Sequence, residues 1–293
     1  MSVIKNSRYF NEAMIFQIFK YSIYLLLAND IYHFFVEDYS ASAQTFAKGV
    51  SPSQIIEAFT ATIDTAAWLI LLLIFELETY ILDDEQMKGK TKWAINATRV
   101  FCYLVIIYSL YGFISKFNLL HTTIPFISND VCSLIGTSFT YIKEIDKYLP
   151  LTAEVCKGLA NTPLIQIVDT QIITTQTQLI ETQRLSTVEV TNSATWLLVV
   201  CILEIEVFLQ LRGKLTKQTI VLSKWFKYVL YTVLFIAAAY WGVKGGLLDF
   251  WDAFLWLVAF WFIEVNIFKW NAETKEEQKN EPLADKLTDG LNE

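Results

Sequence analysis

The stretch Trp68–Tyr80, WLILLLIFELETY, decides how this chain is read. It is apolar enough to sit in lipid, yet it carries two carboxylates, Glu76 and Glu78, near its end. A helix needs about 20 mostly apolar residues to span ~30 Å of hydrocarbon. Six segments of the 293-residue chain meet that length: 14–36, 55–82, 94–117, 194–211, 220–242 and 250–270. Hydrophobic residues make up 54% of the chain and charged ones 18%, against about 25% in soluble domains. The composition therefore predicts an all-α integral membrane protein with six transmembrane helices. The capping signal Ser51-Pro52-Ser53-Gln54 predicts one helix from Pro52 to Leu82, ~46 Å long at 1.5 Å per residue.

The opening stretch recurs. Span two reads Asp64-x3-Trp68-x7-Glu76-x-Glu78, and span four reads Asn192-x3-Trp196-x7-Glu204-x-Glu206. Span six reads Asp252-x3-Trp256-x7-Glu264-x-Asn266. The odd spans repeat more weakly, as Phe19-Lys20-Tyr21, Phe101-Cys102-Tyr103 with Arg99 close by, and Phe226-Lys227-Tyr228. The unit is a two-helix hairpin used three times. It covers 14–82, then 94–117 with 194–211, then 220–270. Every even span runs the same way, so the repeats are parallel and equivalent residues share a depth. A pseudo-threefold bundle is the packing this predicts.

Basic residues orient the chain. Lys5 and Arg8, Lys88 to Lys92, and Arg212 to Lys224 flank one set of span ends, while Lys48 and Lys244 are alone on the other. Residues 1–13 and both termini are expected in the cytoplasm, in a plasma or inner membrane. The loop 118–193 is expected outside, as a small cap. Within it, apolar residues at helical spacing predict a helix from Ser128 to Leu149, and 151–160 a second short one. The segment 169–190 reads as a helix running into span four, with strands as the alternative. Cys132 and Cys156 share this outer compartment, where a bridge between them would persist. Residues 271–293 hold seven Asp/Glu against three Lys and read as a disordered acidic tail. The triplet Ala41-Ser42-Ala43 resembles a cleavage site but lies too far from the apolar core, so the first span is expected to be retained.

Two uses for the intramembrane charges follow. In the first they are staples: Lys20 pairs with Glu76 or Glu78, Lys227 with Glu264, and Arg99 serves the middle hairpin, where Glu204 and Glu206 lie. In the second they form a path for a cation or a proton. Glu76, Glu204 and Glu264 would make an inner tier. Asp64, Asn192 and Asp252 would make an outer one, with Trp68, Trp196 and Trp256 between. The functional expectation is thus a channel or transporter. The competing one is a non-transporting scaffold or sensor whose outer loop binds a protein partner. No catalytic motif, cofactor motif or metal-ligand spacing is present, which argues against an enzyme. His33 and His121 are isolated near the outer span ends, and no basic, aromatic-interleaved patch suits nucleic acid. The lipid bilayer is the one partner the composition demands, and nothing in the pattern excludes an oligomer.

Overall fold

Among the described residues, three helices are long and apolar enough to cross a membrane: Lys90–His121, Gln176–Leu209 and Lys217–Lys244. The bent pair Pro52–Ala58 and Thr60–Glu76 makes a fourth if it counts as one span. The computed structural model describes residues 2–46, 49–78, 89–127, 130–159, 162–212, 214 and 216–263. In chain order the helices are α1 (Ser2–Thr45), α2 (Ile55–Ala58), α3 (Thr60–Glu76), α4 (Lys90–His121), α5 (Ala153–Leu159), α6 (Gln176–Leu211) and α7 (Lys217–Lys244). The last, α8, is described over residues 247–263. Helix α6 runs from the sheet described below into the span without a break.

The chain divides into two compact units. One is Leu27–Ala253, and the other joins residues before and after it. In the second, the rings of Phe16 and Phe19 meet Phe262 edge-on at 5.1 and 5.7 Å. The Lys20 side chain is fully buried, with its ammonium 5.2 Å from the centre of the Tyr21 ring.

The expected continuous helix from Pro52 to Leu82 is corrected: α2 and α3 meet at an 80° bend. Phe59 leaves helical geometry there (φ −124°, ψ 39°) and stacks on Phe35 of α1. Such a break strips the first amides of α3 of their carbonyl partners. Asp38 of α1 supplies one, since its Oδ2 accepts from the Thr62 amide at 2.9 Å and the Thr62 hydroxyl at 2.6 Å. The kink brings Thr60 hard against α4, and only Gly112 leaves room for it, because a Cβ there would overlap the Thr60 side chain. Gly112→Val is therefore expected to push α3 from α4 and cost about 1–3 kcal/mol, the usual range for overpacking. Thermal unfolding in detergent would measure it.

Between α4 and α6 the all-α expectation fails. A five-stranded sheet is present, built from β1 (Thr123–Phe126), β2 (Thr140–Glu144), β3 (Lys147–Pro150), β4 (Leu164–Ile167) and β5 (Ile172–Thr175). Their order is β1-β4-β5-β2-β3, antiparallel except for β2 beside β5. Of the segment 128–149, read as a helix, the described residues from 130 on instead hold a short turn at Val131–Leu134 and then the β2–β3 hairpin. Its β-branched and aromatic residues suit a pleated surface covered on both faces. Ile172 and Ile173 are neighbours pointing opposite ways, yet both are fully buried. One face carries Leu151, Leu159, Leu164 and Ile173 packed with Val131 and Val155. On that side the structure joins Cys132 to Cys156, tying the short turn to α5.

Candidate functional site

The motif residues first make local sense as pairs. The Asp64 carboxylate accepts a hydrogen bond from the Trp68 indole, one helical turn later on the same face of α3. Trp196 and Trp256 stand four residues after Asn192 and Asp252 in the same way. All three tryptophans are buried, at 7%, 7% and 6% exposure. A bulky indole at that position fills the helix packing and fixes the direction of the polar side chain before it.

Asp64, Asn192 and Asp252 then come together. They line one small cavity of 70 Å³, and every residue in its wall lies within the unit Leu27–Ala253. Each even helix adds the residue three positions earlier, Ala61, Glu189 and Asp249, which shares the same face. The other helices close the wall with aromatic rings, Phe34 from α1, Phe113 from α4 and Trp241 from α7. Four polar atoms of lining residues are buried with no hydrogen-bond partner in the protein: Asp64 Oδ1, Glu189 Oε2, Ser193 Oγ and Trp241 Nε1. Each such atom costs about 1–3 kcal/mol if nothing satisfies it. All four belong to residues in the wall of one space.

A half-buried lysine is bonded to one of its wall residues, Glu189. Lys116 of α4 pairs with Glu189 Oε1 and with Asp146 Oδ2, both at 2.9 Å. Asp146 reaches it from the tip of the tight β2–β3 turn, where Glu144 faces Lys147. The next residue, Lys147, bonds Glu144 at 2.7 Å and Glu37 of α1 at 3.3 Å. Beneath the same hairpin, burial pushes the Tyr148 phenol above its ordinary range, with the charge of Asp146 adding to the effect. On the far side of Lys116 is a second cavity of 240 Å³, where Asp38, Glu57 and Asp146 supply acid groups. The Lys116–Glu189 pair thus stands between the two spaces.

Sequence reasoning did not single out Lys116, Asp146, Glu189 or Asp249. A signal existed for two of them, since Glu189 and Asp249 each precede the motif's polar residue by three positions. None existed for Asp146, whose neighbourhood reads as a helix.

The inner tier is less uniform. Glu76 is buried at 2% exposure, whereas Glu204 is exposed and accepts from the Tyr103 hydroxyl at 2.5 Å. Glu264 and Asn266 lie outside the described residues, as do 271–293. Of the expected pairings, Arg99 bonds Glu78 and Lys227 bonds Glu206 at 3.0 Å, while Glu264, the partner expected for Lys227, lies outside the described residues. Both bonds join neighbouring helices, α3 to α4 and α6 to α7, and both span 21 residues of sequence. Phe34, Phe113 and Trp241 stand 14 residues after Lys20, Arg99 and Lys227.

Lys227 and Glu206 are both largely buried, at 11% and 16% side-chain exposure. Lys227→Met alone is expected to destabilise more than Lys227→Met with Glu206→Leu. The single change strands a carboxylate, whereas the double one replaces a buried pair by apolar volume. Paired melting curves of the two variants would show it.

Among the described residues, no group of three or more His, Cys, Asp or Glu is placed to hold a metal ion. No family model, curated protein or solved structure matches the chain.

Proposed function

We propose that this chain is a six-span membrane protein of three parallel hairpins, and that it moves a cation or a proton through the space between them. The observation that carries the reading is the convergence of Asp64, Asn192 and Asp252, from α3, α6 and α8, on one cavity. The lining supports a threefold relation in the outer halves of the helices. Each even helix contributes positions i and i+3, and each odd helix contributes an aromatic 14 residues after its base. Buried acids in a span are costly and mark ion or proton routes by default. On this reading the outer tier is the site. Arg99–Glu78 and Lys227–Glu206 are staples between successive hairpins. The buried Glu76 is a second acid on the way inward. The sheet and its disulfide lie outside, and both termini lie in the cytoplasm, following the bias of Lys and Arg.

The test is reconstitution into liposomes with proton, sodium and potassium flux recorded separately, for the wild type and for Asp64→Asn and Asp252→Asn. Flux above empty liposomes that falls in both folded variants supports the site. A second reading, a scaffold or sensor, is favoured by the two staples and by the separate core of the sheet. It is the one to adopt if the folded wild type carries no flux of any of these ions.

A further inference from the structure

The geometry points to the 70 Å³ cavity as a proton-binding site, in which Asp64 and Glu189 hold a proton in common across water. This rests on the transport reading for its purpose and names the cargo as the proton.

Three observations support it. The first is a charge count. Glu189 of α6 faces Lys116 of α4, Asp146 of the β2–β3 turn and Asp249 of α8, and shares the cavity with Asp64 and Asp252. From α1 and α7 the wall is apolar or aromatic, Phe34 and Trp241. Beyond Asp249 lie Glu37 and Lys147, which already bond each other. Glu189 thus has two other carboxyl groups, Asp146 and Asp249, against one ammonium, Lys116, with Asp64 in the same wall. Like charges that close oppose full ionisation, so protons are retained among them.

The second is the state of the two carboxyl groups. Glu189, its side chain nine-tenths buried, spends Oε1 on Lys116 and leaves Oε2 unpartnered. Asp64 faces the indole of Trp68 and the hydroxyl of Ser109, and its Oδ1 makes no bond of full hydrogen-bond geometry. The volume admits at least two waters at ~30 Å³ each, which suffices to link two carboxyl oxygens.

The third separates a proton from a metal cation. Trp241 Nε1 is a buried, unpartnered atom of a lining residue, and an indole N–H can only donate. A donor beside a bare cation opposes it, whereas water accepts from the indole and donates to a carboxylate.

The step is a proton transfer and balances as one. A hydronium at the cavity gives its proton to Glu189 Oε2 and leaves water, and Lys116 keeps its bond to Asp146. The reverse transfer regenerates the ion pair with Glu189.

Infrared difference spectroscopy on the purified protein in lipid nanodiscs tests this without any transport assay. The wild type is expected to show a protonated-carboxyl C=O band at neutral pH that shifts in D₂O and does not respond to sodium. Glu189→Gln or Asp64→Asn, whichever folds, is expected to remove it. No such band at neutral pH overturns the inference, and so does a band that sodium titration abolishes. A persistent band in both folded variants overturns it too, since the proton then lies elsewhere. A band with the expected behaviour in a protein that carries no flux keeps the site and ends only the transport reading. Sodium flux in a protein without the band ends only the proton assignment.

Discussion

Lys116→Met is expected to be the most destabilising single change near the site, by about 3–5 kcal/mol, the range for breaking a buried ion pair from one side. Lys116 is the one ammonium bonded to both Asp146 and Glu189. Their side chains are 21% and 10% exposed, so removing the lysine leaves two carboxylates with little access to water. The residual exposure of Asp146 places the loss toward the lower end of the range. Two companions separate the charge from the packing. Lys116→Arg keeps a cation and is expected to lose less. Lys116→Met combined with Glu189→Gln removes one stranded charge, and is expected to recover part of the loss through coupling between contacting residues. Thermal unfolding in nanodiscs checks all three.

The second large effect falls on function. Asp64→Asn is expected to lower flux about ten- to a hundredfold with the fold retained. A hydrogen bond to a charged group is worth ~1.5–3 kcal/mol more than none, and 1.4 kcal/mol is tenfold in an equilibrium. Asparagine keeps the shape of the side chain and an acceptor for the Trp68 indole, but it cannot take a proton at Oδ1. The natural Asn192 at the matching position of α6 shows that an amide is accommodated in this wall. The variant therefore isolates loss of the acid from loss of structure. Flux into proteoliposomes, normalised to protein that elutes as a single species, is the measurement.

How much of this could be read from the residues depended on the range of the interactions. The helices of membrane length were legible because apolar length is a local property, as in Lys90–His121. That Asp64, Asn192 and Asp252 share a position was legible because each precedes a tryptophan by four residues, and in α3 the Trp68 indole bonds the Asp64 carboxylate. The 80° bend at Phe59 was not, because it depends on Asp38, 24 residues away, to cap the Thr62 amide. The sheet was missed for a different reason. Val131, Leu134, Ile142 and Ile145 fall at helical spacing by coincidence, while the pairing of β2 with β5 joins segments some 30 residues apart. Staples of the expected kind are present as Arg99–Glu78 and Lys227–Glu206, and the expected Lys227–Glu264 pair falls outside the described residues. Arg99 and Lys227 reach the second Glu of the preceding helix, a choice made by the side-by-side packing of α3 with α4 and of α6 with α7.

The most direct test of the central claim needs only the wild-type protein. A pH-sensitive dye is sealed inside proteoliposomes, and an inside-negative potassium diffusion potential is imposed with valinomycin. The account expects acidification of the lumen well above that of empty liposomes, driven by protons entering through the acid-lined cavity. No acidification above the empty control, in protein that is monodisperse and retains its Cys132–Cys156 bridge, would contradict it.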